Sequence, residues 1–297
     1  MTPEFGNIDS FRIFGIPVLM FNQFVRPAAK PAAALAISAA LALATALMVP
    51  AAAQAETLRI RYTVALLGLS LGTAQLSGAV SADGYKLEAS AKLSGIGAVM
   101  GKSNGAASAS GAIVKGRLSP ATYATTAANS KETRTVRMAI TGGAVSGLDV
   151  SPPFEDRPGR VPLTEEAKRN IVDPLAAVLM TVPPGQALLS PAACDRTIPV
   201  FDGNTRFDVA LSFRAMRRVS GKGYEGDVAV CGARYRPLAG HRPDRKATKF
   251  MTDNKNIEVW LAPLEGPHLL VPYFVSVATQ IGTTTLSADE FQVSGGK

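Results

Sequence analysis

Histidine, cysteine and tryptophan are scarce in this chain: 297 residues hold two, two and one of them. With only His241 and His268, and no H-x-x-x-H pair, a zinc centre of three or four His and Cys ligands is not expected. Either ring could act as a general base, but a solvated loop histidine is the plainer reading of both. No C-x-x-C occurs, which argues against a redox-active dithiol. No carboxylates are paired by local spacing, and no period of roughly 20–50 residues recurs, which argues against a solenoid. Charge is sparse too, 18% against 47% hydrophobic residues, which is too apolar for a disordered chain. No metal or cofactor is expected.

From Ala28 to Ala55 the only charge is Lys30. Arg26 and Lys30 form a basic flank, Ala32 to Val49 an apolar helix-former, Pro50 a breaker, and Ala53-Gln54-Ala55 a small-residue triplet. That order is a Sec-type signal peptide with cleavage after Ala55, leaving Glu56 as the mature N-terminus. The alternative is a retained membrane anchor, since the run is near the lower length for spanning. Residues 1–19 sit oddly before such a signal, which suggests Met20 rather than Met1 as the initiator. The expected location is therefore the periplasm, with no permanent membrane span. The mature chain keeps 28 basic and 21 acidic residues, net +7, a balance that favours an anionic lipid or an acidic envelope protein as partner. Export argues against nucleic acid. Cys194 and Cys231, an even pair in an exported chain, read as a disulfide.

Period-two alternation dominates the mature part and predicts strands with one buried face. Leu58, Ile60, Tyr62, Val64 and Leu66 form one such face; Tyr85, Leu87, Ala89, Ala91 and Leu93 form another. Thr205, Phe207, Val209, Leu211 and Phe213 repeat the pattern, as do Tyr273, Val275, Val277, Thr279 and Ile281. Turn signals separate the runs at 82–84, 141–143, 201–203 and 220–223. One segment breaks the rule: Thr164-Glu165-Glu166 and then Asp173-Pro174 are helix-start signals, Leu175, Val178 and Leu179 an apolar stripe, and Pro183-Pro184-Gly185 a stop. The expected fold is mainly β, a curved antiparallel sheet or partial (spiral or half-) barrel, with one main helix near 164–182. The Pro-rich stretch 151–162 is too short to divide it, so 56–297 reads as a single domain.

Two segments imitate catalytic motifs. Gly68-Leu69-Ser70-Leu71-Gly72 and Gly101-Lys102-Ser103-Asn104-Gly105 match G-x-S-x-G, which exposes its serine only between a strand and a helix. A glycine hairpin is the reading of the first; the second fails for the same reason, since Asn104 to Gly111 is no helix and reads as a flexible loop. Gly101-Lys102-Ser103 also fails as a P-loop, because Ile96 stands where a glycine is required. No catalytic residue is assigned, and a serine hydrolase using Ser70 or Ser103 is a remote alternative. The most distinctive polar segment holds Arg234, Arg236, His241, Arg242, Arg245 and Lys246, with Lys249 beyond; Arg214, Arg217, Arg218 and Lys222 form a second basic cluster. It reads as an anion-recognition surface or as a solvated basic loop.

The order of several short signatures resembles the exported family called domain of unknown function 3108 (DUF3108), found mainly in Gram-negative bacteria. They run from Tyr62, Gly68 and Gly72 through Leu93-Ser94-Gly95-Ile96, Gly116-Arg117-Leu118-Ser119-Pro120 with Tyr123, and Ile171-Val172-Asp173-Pro174-Leu175. Cys194, Val200-Phe201-Asp202-Gly203, Cys231, Val259-Trp260-Leu261, Val271-Pro272 and Gly282 complete the series. The resemblance implies a periplasmic, mostly antiparallel β protein without assigned catalytic residues, similar in architecture to envelope proteins that clasp a lipid or partner on a concave face. Ala176 stands where relatives often carry serine. The function expected is therefore non-catalytic support of the cell envelope, binding a partner or an amphiphile through a curved β surface. The alternative is a periplasmic carrier holding a lipid or other hydrophobic ligand inside the curve.

Overall fold

The computed structural model of the protein describes residues 55–94, 97, 103–155, 157–183 and 185–295. The signal segment, the starts Met1 and Met20, and Ala53 lie outside them; Ala55 is exposed at the first described position. As the alternation predicts, the chain is mainly β and forms one antiparallel sheet of 14 strands. Its first half is a meander: β1 (Glu56–Leu66), β2 (Leu69–Val80), β3 (Gly84–Leu93), β4 (Asn104–Val114), β5 (Arg117–Ala128), β6 (Thr133–Thr141) and β7 (Ala144–Ser151). A strap, residues 152–195, carries the short β8 (Met180–Thr181). The second half returns as β9 (Arg196–Phe201), β10 (Arg206–Gly221), β11 (Tyr224–Ala239), β12 (Ile257–Leu264), β13 (Leu269–Thr279) and β14 (Gly282–Ser294), with α1 (Lys246–Asp253) before β12. The halves join where β1 pairs with β14, which leaves β7 and β9 as the sheet edges.

Curvature brings those edges together. A Cβ on Gly203, in the turn after β9, would lie 2.5 Å from Val136 Cγ1 of β6. The strap fastens the gap: Ile171 donates its N–H to Gly143 O (3.0 Å), in the β6–β7 turn, Val172 donates to Pro199 O (2.8 Å), and Phe201 donates to Val172 O (3.0 Å). The strap then fills the interior. Ile171, Leu175, Ala176, Val178 and Leu179 pack in one cluster with Leu58 and Ile60 of β1, Tyr85 and Leu87 of β3, and Phe291 of β14. Outward positions on β1 and β3 are polar, among them Arg59, Lys86, Glu88 and Lys92, the reverse of a lipid-spanning barrel. Among the described residues no helix is long and apolar enough to cross a membrane.

The main helix is not where the start signals place it. Thr164 Oγ1 does accept from Ala167 N–H (3.3 Å), and Asp173 Oδ1 accepts from the N–H groups of Leu175 (3.0 Å) and Ala176 (2.8 Å). Each start yields only a 3-10 turn, Glu166–Lys168 and Ala176–Val178. Caps lower the cost of nucleation, but left-handed backbone at Asn170 (φ 50°) interrupts the run after the first turn and the chain is extended again at Leu179 after the second. Every residue from Ile171 to Met180 except Val172 is buried. The eight-residue helix forms instead at Lys246–Asp253, inside the basic segment.

A second correction concerns residues 104–111, expected to be a flexible loop and found as the start of β4. Its small residues are a packing device. Gly105, Ala107 and Ala109 face inward and leave room for bulky neighbours: Ala109 pairs with the buried Tyr123, and a Cβ on Gly111 would meet the Tyr85 hydroxyl at 2.6 Å. Alternation also slips on two predicted strands. A bulge between Val64 and Ala65 buries Ala65 rather than Leu66. On β10, Leu211 is buried but Phe213 is 37% exposed, and Arg206 is buried with its guanidinium on Asp208 Oδ1 at 2.6 Å.

Candidate anion-binding rim

The sequence singled out the basic segment 234–246, and the structure lays it along one rim of the sheet. Its base is fixed by the strap: Gly240 N–H donates to Val161 O (2.9 Å), Val161 N–H donates to His241 O (2.8 Å), and Arg160 Nε donates to Gly240 O (2.6 Å). Arg234 serves the fold, its Nη1 donating to Asn254 O (3.0 Å) just beyond the end of α1, where a cation meets the helix dipole favourably. Arg242 bonds Asp244 Oδ2 at 2.9 Å. The His241 ring is partly buried, and burial holds its pKa below the ordinary histidine value. Arg236, Lys246 and Lys249 stand exposed, with Arg245 partly covered between them.

The second basic cluster lies elsewhere, on the long β10–β11 hairpin, and is engaged there. A register shift between Phe213 and Ala215 bends that hairpin. At the bend Arg214 binds Glu258 (3.1 Å) and the Lys255 carbonyl (3.1 Å), with its guanidinium lying on Gly232. Arg217 stacks 5.0 Å from the Trp260 ring centre and Arg218 pairs with Glu225. The tip then folds over β14, where Phe291 N–H donates to Lys222 O (3.0 Å). The structure therefore does not merge the two basic clusters into one site. Cys194 and Cys231 form a disulfide, both fully buried, that ties the end of the strap to the middle of β11.

Other candidate places lie apart from the rim. Ser70 lies in β2, directly after the Leu67–Gly68 turn from β1, so a strand follows it where the nucleophile elbow needs a helix. Ser103 directly precedes β4. An open cleft of ≈ 540 Å³ is lined by Asp83, Tyr85, Ser119 and Thr141, and a smaller one of ≈ 300 Å³ by Ile113, Val182 and His268. Deeper inside, Asp173 is fully buried with Oδ2 lacking a hydrogen-bond partner. Burial pushes its pKa up to about 7 against the two N–H groups that its other oxygen accepts. The Tyr85 hydroxyl is likewise buried without a partner, and burial, then the Asp173 charge, raise its pKa. Sequence reasoning took Asp173 only as a helix cap; its ionisation depends on what the strap is buried against. Among the described residues no group of three or more His, Cys, Asp or Glu could hold a metal.

Fold and site together define a single-sheet β protein, curved nearly to closure around its own strap, with a basic rim. The chain matches the family described as protein of unknown function (DUF3108) over residues 59–289, and it belongs to that family. None of the curated proteins matches it. Among solved structures it is similar to a β-barrel-like protein of domain of unknown function DUF1849 from Brucella abortus, at 8% identity and a TM-score of 0.44, covering 81% of this chain and 98% of that one.

Proposed function

We propose that this is a non-catalytic periplasmic protein of the cell envelope that binds an anionic partner on its outer rim. One observation carries the reading. The space inside the curve is occupied by Ile171, Leu175, Val178 and Leu179 of the strap, while the exposed charges of Arg236, Lys246 and Lys249 stand at the rim. That arrangement favours surface binding over the carrier reading, in which a hydrophobic ligand would take the place the strap holds. A net charge of +7 from Glu56 onward and the pairing of Cys194 with Cys231 support an exported protein facing anionic surroundings.

The test has two arms. N-terminal sequencing of the protein from a periplasmic extract reads Glu56 as the first residue if the signal is cleaved after Ala55; intact precursor in the cytoplasm overturns the location. Replacing Arg236, Arg242, Lys246 and Lys249 by alanine weakens retention on an immobilised anionic polymer well below that of wild type, with the wild-type interaction falling as salt rises. Equal retention of the two proteins rules out the rim.

A further inference from the structure

Exposed aliphatic side chains crowd onto two neighbouring turns. Leu67 is 67% exposed, Leu69 57% and Ile281 53%. β1 and β14 lie side by side, and Leu67 N–H donates to Thr283 O at 2.9 Å. The Leu67 side chain covers Gly282, where a Cβ would lie 2.5 Å from Leu67 Cδ2. The three residues form one apolar knuckle projecting from the rim.

Local physics does not choose Leu67. Leu67 and Gly68 have φ of 51° and 81°, the left-handed pair of a two-residue hairpin turn whose preferred first residue is Asn, Asp or Gly. Turns of the same φ signs at the opposite rim use Lys115–Gly116 and Gly142–Gly143. A leucine held there is strained and buries little, so neither backbone nor core accounts for it.

The neighbouring surface is basic. The chain leaving α1 runs beside β13: Asn254 Nδ2 donates to Ala278 O (2.8 Å), and Ala278 N–H donates to Asn256 O (2.9 Å), three residues from Ile281. This stretch exposes Lys246, Lys249 and Lys255 against Asp253. On the other side of the knuckle Lys92 is exposed near the end of β3.

We propose that this rim docks on an anionic lipid bilayer, with Leu67, Leu69 and Ile281 entering the headgroup boundary and Lys246, Lys249 and Lys255 meeting lipid phosphates. The proposal rests on the anionic-rim reading above and names its occupant. A protruding aliphatic knuckle flanked by lysines suits a deformable, negatively charged apolar surface, where apolar insertion and basic attraction act as two weak signals together.

Co-sedimentation of the mature protein with phosphatidylcholine vesicles, with and without phosphatidylglycerol, tests this. Wild type binds the phosphatidylglycerol vesicles and is released by salt. The variant Leu67→Asn/Leu69→Ser/Ile281→Ser binds them about tenfold more weakly, and Leu67→Asn alone raises the melting temperature while lowering binding, which a purely structural leucine would not do. Wild-type-like sedimentation of the triple variant, or no sedimentation of wild type, overturns the proposal. A Lys246→Ala/Lys249→Ala/Lys255→Ala variant separates the two ideas. If it loses vesicle binding while the triple aliphatic variant keeps it, the knuckle falls and the anionic rim stands; if neither substitution set matters, both fall.

Discussion

The first seven strands and the last six are built from the same sheet but buried differently. In β3 the pattern is strict: Tyr85, Leu87, Ala89 and Ala91 are buried, while Lys86, Glu88, Ser90 and Lys92 face solvent. In β11 every residue from Val228 to Ala233 is buried. Val228 packs in the interior cluster and Ala229 and Cys231 in a second cluster on the other face, closed over by Met180, Leu188 and Cys194 of the strap. One half is a single-faced meander, the other a layer covered on both sides. Strand alternation suffices for the first; the second needs a chain segment, and a covalent tie, to cover its back.

If the strap makes these halves one cooperative unit, damage at the seam unfolds both. Phe201 ends β9, is fully buried in the interior cluster and donates its N–H to Val172 O at 3.0 Å. Phe201→Ala is expected to cost about 3–5 kcal/mol. Trp260, the sole tryptophan, reports the second half alone, whereas circular dichroism reports both. Urea transitions followed by the two probes shift together; a shift seen only by Trp260 shows two separate units. Next in size is the disulfide. Its loop spans 37 residues, so Cys194→Ser with Cys231→Ser costs about 3–4 kcal/mol in the chain-entropy model. Amide exchange then accelerates more in β10–β13 than in β1–β6, and uniform acceleration would erase the contrast.

The same contrast explains what the sequence disclosed. β1, β3 and the turns at 82–84 and 141–143 were legible because one face is wet, and period two survives. The helix expected near 164–182 was not, since Thr164 and Asp173 are genuine caps, yet the chain turns left-handed at Asn170 between them and residues 171–180 pack into the interior. Residues 104–111 looked like a loop because their small side chains make sense only beside Tyr85 and Tyr123. Of the two basic clusters, the charges were visible in the sequence and their partners were not: Arg234 of the rim holds the end of α1, and Arg214, Arg217 and Arg218 are occupied on the separate hairpin. The Leu67 knuckle was hidden until the turn's positive φ values placed a leucine where asparagine belongs.

Asp173 sharpens the comparison through pH. Burial raises its pKa to about 7 in the folded chain from an ordinary 3.8. The folded state thus holds a proton that the unfolded chain releases, so the contribution to stability is complete below about pH 4 and declines as pH rises toward 7. Asp173→Asn keeps an oxygen for the Leu175 and Ala176 N–H groups and removes the charge. Chemical unfolding at several pH values is expected to show the variant gaining on wild type from pH 4 to 7. Parallel curves would mean that the carboxyl is not neutral in the folded strap.

The smallest effect probes the seam itself. Gly203 has φ of +91°, and a methyl there would press on Val136 Cγ1. Gly203→Ala is therefore expected to cost about 1 kcal/mol from the left-handed backbone, plus a contact term that exists only if the β9–β10 turn touches β6. Val136→Ala removes the contacting methyl. In a double-mutant cycle Gly203→Ala should cost less in the Val136→Ala background, by about 0.5 kcal/mol or more, as residues in contact show. Strict additivity would mean that the two edges do not meet, and that the seam opposite the β1–β14 ladder is bridged by the strap hydrogen bonds at Ile171 and Val172 instead.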